Sequence, residues 1–526
     1  MTTRTTNDSA PMPGVAARAV PYLPLGLLAG LGAVLAYLWK YPCRFGGAWD
    51  GGIGQYTHFC YTDIYPLFWA EKLNEGKVPY VDYPVEYPVG IGGIMEFARR
   101  LAGGDGVVFY DVTVVLMGLA LVAGVLLTAA LAGRRPWDAL WYAIGPAVIL
   151  CAYINWDLAA GALALGGLLA WARHRPWLAG VLLALSVATK FYPLMFFGAL
   201  FLLTLRTARW VPFLKTVAGA AGAWLLVNVP IMLVNFEGWQ RFYAFSSERG
   251  ADWGGLWFFF QKTQWFGHDR PEFLAFLGDS EKLNTMAMAA LAVLLLGVAV
   301  LALAAPRRPR LMQLCFLALA AFMITNKVWS PQYVLWLVPF AVLARPRWGA
   351  LAAWQVAECW YFFSIWLYLI TQIPDQASLG IGDDPYFLSV WARLLTILVL
   401  MALVVWEILR PEHDVVRQGD VDDPSGGPFD QAADRFVLRR AFLARGGTQE
   451  RGGPEERGEP EERDEPEERG GPEERGEPEE RGEPEERGEP EERGEPEERG
   501  EPEERGEPEE RGEPGERGGK AQPEPV

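Results

Sequence analysis

Between residues 49 and 88 the chain interleaves carboxylates with aromatic rings and prolines: Trp49-Asp50, then Cys60-Tyr61-Thr62-Asp63-Ile64-Tyr65-Pro66-Leu67-Phe68, then Pro79-Tyr80-Val81-Asp82-Tyr83-Pro84-Val85-Glu86-Tyr87-Pro88. Standing free in water, such a loop would expose too much apolar surface, so it is expected to fold back onto apolar structure. A carboxylate carried with it is partly desolvated, which raises its pKa and suits it to general-base work. Asp50, Asp63, Asp82 and Glu86 all qualify. Asp63 precedes an amphipathic stretch, with Ile64, Leu67, Phe68, Ala70 and Leu73 apolar and Glu71, Lys72 and Asn74 polar. That pattern predicts a short interfacial helix with Asp63 as its N-cap. The other three also read as turn residues or as partners of Arg44, Lys77 or Arg99, and residue chemistry alone ranks the four no further.

The elements that must hold this loop are apolar. The 526 residues are 51% hydrophobic and 13% aromatic, yet the formal charge is −17. These properties belong to different regions: residues 451–526 carry 32 acidic and 13 basic side chains, leaving 32 and 34 for the rest. A soluble acidic globule is therefore excluded as a description of the body of the chain. A spanning helix needs about 20 mostly apolar residues, and twelve candidate segments lie between residues 20 and 409. The expected fold is an all-α polytopic membrane protein, a bundle of about 10–12 transmembrane helices with a long external first loop and a disordered C-terminal tail. The first segment has no small-residue cleavage site after it and reads as a retained helix.

Arginines cluster on every second loop: Arg134/Arg135, Arg173/Arg175, Arg206/Arg209, Arg307/Arg308/Arg310, Arg345/Arg347 and Arg410/Arg417. Because such clusters stay on the cytoplasmic side, both termini are expected there, in the plasma membrane. Loops 40–106 and 235–282 then lie outside, with the polar turns at 155–157, 190–193 and 326–332. Cys43 and Cys60 share that oxidising face and are expected to form a disulfide, whereas Cys151, Cys315 and Cys359 sit in apolar runs. The domain reading is a disordered cytoplasmic segment 1–19, a transmembrane domain 20–410 and a disordered cytoplasmic tail 411–526. Within the tail, Glu-Glu-Arg-Gly-Glu-Pro units recur from 454 to 514, with no apolar residue to bury and a proline in each unit.

Several motifs run through the membrane part in a definite order. An external Asp is followed by aromatics; Leu-x-x-Gly-x-x-x-Tyr spans Leu73 to Tyr80; Tyr87-Pro88 opens a semi-apolar stretch; Thr-Lys-Phe-Tyr-Pro spans Thr189 to Pro193 and Asn-Lys-Val-Trp-Ser-Pro-Gln-Tyr spans Asn326 to Tyr333. In this order they resemble family eighty-seven of the class C glycosyltransferases, the polyprenol-phosphate-mannose-dependent mannosyltransferases, over roughly residues 20 to 410. Tyr-Pro-Val stands here where many members have Tyr-Pro-Pro. The resemblance implies inverting transfer of a hexose, mannose in the family, from a polyprenyl-phosphate donor to a lipid or glycan hydroxyl at the external face. Asp63 matches the family's catalytic aspartate and would take the acceptor's proton. Lys190, Lys327 and Arg249 are candidates to hold the donor phosphate, Trp253 and Trp257 to pack on sugar rings, and Asp82 and Glu86 to contribute to substrate binding. Plainer readings exist: the lysines as interface anchors, Arg249 as partner of Glu248 or Asp252, the tryptophans as an aromatic belt.

No P-loop or strand-linked glycine fingerprint supports nucleotide binding, and His58, His174, His268 and His413 are scattered, so neither cofactor nor metal is expected. The expected partners are donor, acceptor and membrane lipids, with no nucleic acid. The alternative is a twelve-span secondary transporter or a lipid flippase. Transporters, however, keep polar residues near the midplane and often show internal repeats, whereas here the polar motifs gather at one face.

Overall fold

A helix satisfies its own backbone groups, which is why it can sit in hydrocarbon, and helix is what this sequence forms throughout. A computed structural model describes residues 20–262 and 271–438; among them there is no β-strand. The helices that matter for the site are α1 (Tyr22–Trp39), α2 (Ile64–Ala70), α3 (Val89–Ala102), α4 (Gly106–Leu131), α5 (Pro146–Cys151), α6 (Asp157–Ala172), α7 (Pro176–Thr189), α8 (Leu194–Thr207), α9 (Trp210–Val234), α10 (Phe236–Glu248), α11 (Leu256–Lys262), α12 (Ser280–Ala304), α13 (Leu311–Thr325), α14 (Val334–Ala344), α15 (Trp348–Ile370) and α16 (Asp383–Leu409). The chain is an all-α polytopic membrane protein: α1, α4, α9, α12 and α16 are each long and apolar enough to cross a bilayer. α9 and α12 leave Leu225, Leu226, Leu233, Val293 and Leu296 exposed, as helices facing lipid do.

The inner helices are shorter. α14 has eleven residues, every one of them buried, and at about 1.5 Å per residue it covers roughly half of the hydrocarbon thickness. A helix that stops inside a membrane is tolerated only where protein covers its ends, and that is the arrangement at the breaks between α7 and α8 and between α13 and α14. Close approach is made possible by small residues: a Cβ on Gly180 of α7 or on Gly219 of α9 would collide with backbone of the other helix.

Alternate connections meet at opposite ends of the bundle. At one end loop one (40–105) contacts the α5–α6 turn, the α7–α8 break and α10. The arginine-bearing connections form the other end. Cys43 and Cys60 are joined by a disulfide that closes the start of loop one against the end of α1.

The expected disordered tail from 411 needs a correction. Residues 411–438 are packed against the arginine end. Arg310 pairs with Asp414 at 2.8 Å, Arg308 with Asp422 at 2.7 Å and Asp434 at 3.0 Å, and Arg206 with Asp434 at 2.8 Å. Trp171 Nε1 donates to the Gly426 carbonyl at 2.8 Å, and Phe429 is buried against the Trp171 ring. The reason is charge: Arg206, Arg308 and Arg310 are themselves buried, and guanidinium groups withdrawn from water need carboxylates. The six-residue repeats and residues 1–19 lie outside the described residues.

Removing the partners of a buried charge costs about 3–5 kcal/mol per pair. A chain ending at residue 410 is therefore expected to melt well below the full-length protein in detergent, whereas one ending at 438 should melt with it. Equal melting of the two truncations would show that the 411–438 segment contributes nothing.

Candidate active site

Loop one is shaped by a tyrosine in an unusual backbone state. Tyr80 has φ +66°, a left-handed conformation that bulky residues adopt only when neighbours hold them there. Its hydroxyl donates towards the Tyr87 and Pro88 carbonyls at 2.9 and 2.8 Å and accepts from the Gly92 amide at 3.2 Å. The Leu73–Tyr80 and Tyr87–Pro88 motifs are thus two halves of one turn. Gly90, beside that turn, touches Thr189; any Cβ there would strike its side chain and backbone. The loop is thereby seated next to Lys190.

Asp63 does not cap α2 with its side chain, contrary to the sequence expectation. It occupies the N-cap position but makes no capping bond. Its amide donates to the Ile154 carbonyl at 2.7 Å, Thr62 Oγ1 donates to the Tyr153 carbonyl at 2.8 Å, and the carboxylate is turned inward, where Oδ1 accepts from the Tyr61 hydroxyl at 2.7 Å. Tyr61 is fixed in turn: its ring stacks on Trp366 at 4.4 Å and its carbonyl accepts from Lys40 Nζ at 2.6 Å. Asp63 is only 4% exposed. Burial pushes its carboxyl up to about 6, against the downward pull of the Tyr61 hydroxyl and of Lys190.

The cations converge on the same place. Lys190 Nζ pairs with the buried Asp157 at 2.9 Å and lies over the Tyr87 ring at 4.9 Å. Lys190, Asp157 and Arg249 are all near enough for their charges to act on Asp63. Arg249 pairs with Asp252 at 3.0 Å. Lys327 donates to the Ser247 and Arg249 carbonyls, and burial together with Arg249 holds its ammonium down at about 8. Its strand of backbone is clamped as well: the Asp252 amide donates to the Lys327 carbonyl at 2.8 Å, and the buried Arg393 donates to the carbonyls of Trp329 and Ser330 at 2.9 and 3.0 Å while pairing with Glu358 at 3.0 Å.

The remaining sequence candidates fall elsewhere. Asp82 accepts from the Val78 amide at 2.8 Å within its own turn and is exposed. Glu86 pairs with Arg241 of α10 at 3.2 Å, on the rim between loops one and two. Trp253 packs on Phe258 at 5.0 Å and Tyr368 at 6.0 Å, whereas Trp257 donates to the Thr325 carbonyl at 2.8 Å and packs edge-on against Phe276. Asp50 is exposed, and Arg44 pairs with Asp111 at 2.6 Å. Among the described residues no cluster of His, Cys, Asp and Glu has metal-holding geometry.

Sequence reasoning missed Lys40, Tyr61 and Asp157. A signal existed for the first: Lys40 ends the first apolar span, where an ionisable group beside hydrocarbon needs a specific partner. Asp157 opens an apolar run straight after a polar turn, the position in which a membrane carboxylate points to function.

No curated protein matches the chain. Residues 103–326 match the model of glycosyltransferase family 87, a stretch that contains Asp157, Lys190 and Arg249, begins after Asp63 and ends just before Lys327. The match places residues 103–326 in glycosyltransferase family 87, which indicates a membrane glycosyltransferase.

Proposed function

We propose that the protein transfers a hexose, mannose on the family resemblance, from a polyprenyl-phosphate donor to a hydroxyl of a lipid or glycan acceptor, with inversion at the anomeric carbon. The observation that carries this reading is the buried Asp63 carboxylate, anchored on one oxygen by Tyr61 and surrounded by Lys190, Arg249 and Asp157. In the reaction Asp63 takes the acceptor's hydroxyl proton as the acceptor oxygen bonds to the anomeric carbon. The bond from that carbon to the phosphate oxygen breaks, its electron pair leaving with the lipid phosphate. The leaving group is already anionic, so a fixed cation serves where an acid would otherwise be required. Lys190 and Arg249, with Lys327 beside them, supply that charge.

The arginine-rich connections at the opposite end of the bundle support a cytoplasmic placement of that end, hence of both termini, and an external placement of loop one in a plasma membrane. The family match leaves the transporter and flippase readings without a supporting observation.

Asp63→Asn should reduce kcat by about 10²–10⁴-fold, the usual contribution of a general base, while a polyprenyl phosphate still binds to the purified protein. Turnover near that of the wild type would move the base to another carboxylate. The working form is the ionised one, so kcat/KM should fall as pH drops through about 6. The Tyr61 hydrogen bond lowers that pKa, so Tyr61→Phe should move the acid limb to higher pH; an unmoved limb would assign it to another group. Lys190→Met should raise the donor KM more than tenfold, with Lys190→Arg recovering part of the loss.

A further inference from the structure

The proposed chemistry uses the N-terminal end of α2 and leaves its other end without a role. Glu71, immediately after α2, is only 9% exposed, yet its carboxylate makes no hydrogen bond or ion pair with the described residues. Burying a carboxylate without a partner is costly. Burial and the neighbouring Glu86 push it up to about 7, with Arg241 pulling the other way. A carboxyl in this state is a strong acceptor for hydroxyl hydrogens and, when protonated, also a donor.

Two further features connect its surroundings with those of Asp63. The half-buried Tyr87 is near enough to feel the charges of Asp63, Asp157, Arg249 and Glu71 alike. Its ring carries Lys190, and its hydroxyl makes no hydrogen bond with the described residues. The Glu86–Arg241 pair, at 3.2 Å, forms the rim where loop one meets α10, and Arg241 lies over the Phe245 ring at 5.2 Å. Carboxylates, a tyrosine hydroxyl, an arginine and an aromatic face are the groups that bind polyols: they accept from and donate to hydroxyls while a ring covers the C–H face. Across α2, at about 1.5 Å per residue, the Cα atoms of Asp63 and Glu71 are roughly 12 Å apart, too far for both to serve the reacting hydroxyl but within reach of one extended acceptor.

We propose, on the reading of Asp63 as base, that Glu71 and Tyr87, with the Glu86–Arg241 pair at the rim, bind the hydroxyls of a sugar or polyol headgroup of the acceptor. The donor phosphate belongs with Lys190, Arg249 and Lys327.

The test uses the full chain in lipid nanodiscs with mannobiose and methyl α-mannoside as probes. In saturation-transfer NMR the wild type and Asp63→Asn should both transfer saturation to the sugar protons, whereas Glu71→Gln and Tyr87→Phe should each reduce it at least fivefold. Absence of transfer from the wild type, or undiminished transfer from both variants, overturns the assignment. This readout needs no turnover, so it stands apart from the base assignment: an Asp63→Asn protein that still turns over refutes the base without touching the sugar site. With labelled polyprenyl-phosphate mannose as donor, Glu71→Gln should raise the KM for mannobiose more than tenfold and leave the donor KM within twofold. A parallel rise in both would mean that Glu71 serves the donor or the fold, and would also overturn the proposal. Should Glu71→Gln fail to fold, Tyr87→Phe carries the same comparison.

Discussion

Charge withdrawn from water governs this structure. At the loop-one end a set of ionisable groups sits where helices stop short inside protein, and each must find a partner or change protonation state. Asp157 is met by Lys190, Asp252 by Arg249, Glu358 by Arg393, and Lys40 by a carbonyl. Asp63 is compensated only in part. One hydroxyl anchors it, nearby cations act only at a distance, and its carboxyl is left near neutrality in its affinity for protons. A fully paired carboxylate would be a poor base; a solvated one would be weakly basic and free to move.

The scaffold follows from this requirement. Long outer helices such as α9 and α12 supply the apolar surface for lipid, while the short, wholly buried α14 and the break before it create a protein-lined depth at which polar backbone is admissible. The Arg393–Glu358 pair, flanked by the Trp329 and Tyr361 rings, fixes that break by holding two of its carbonyls. At the opposite end the same physics operates without chemistry: residues 411–438 close over Arg206, Arg308 and Arg310 and neutralise them. Arginines that mark sidedness in the sequence are, in the folded chain, also the anchors of a strap.

The motif order in loop one has a structural meaning that spacing alone did not convey. Tyr80 and the Tyr87-Pro88 turn are conjoined by one hydroxyl, so residues that look like separate punctuation form a single bracket around Tyr87. The tryptophans of loop two show the converse. Trp253 and Trp257 have the composition of a sugar platform, but Trp253 is packed with Phe258 and Tyr368 and Trp257 with Phe276, because a large ring near other aromatic rings is drawn onto them.

The sequence by itself determined that the chain is a helical membrane protein, that its polar aromatic loops share one end, and that Cys43 and Cys60 are placed to pair. These are properties of local composition and periodicity, and the cost of exposing an apolar run or of moving an arginine across a bilayer is large enough to decide them without tertiary detail. Which of four loop carboxylates is buried, that Asp63 turns away from its helix to meet Tyr61, that Asp157 takes Lys190, and that 411–438 folds as a strap were decided only by the tertiary structure. Each depends on contacts between residues far apart in the chain, and desolvation and pairing, unlike hydrophobic periodicity, leave no repeating trace in the order of amino acids.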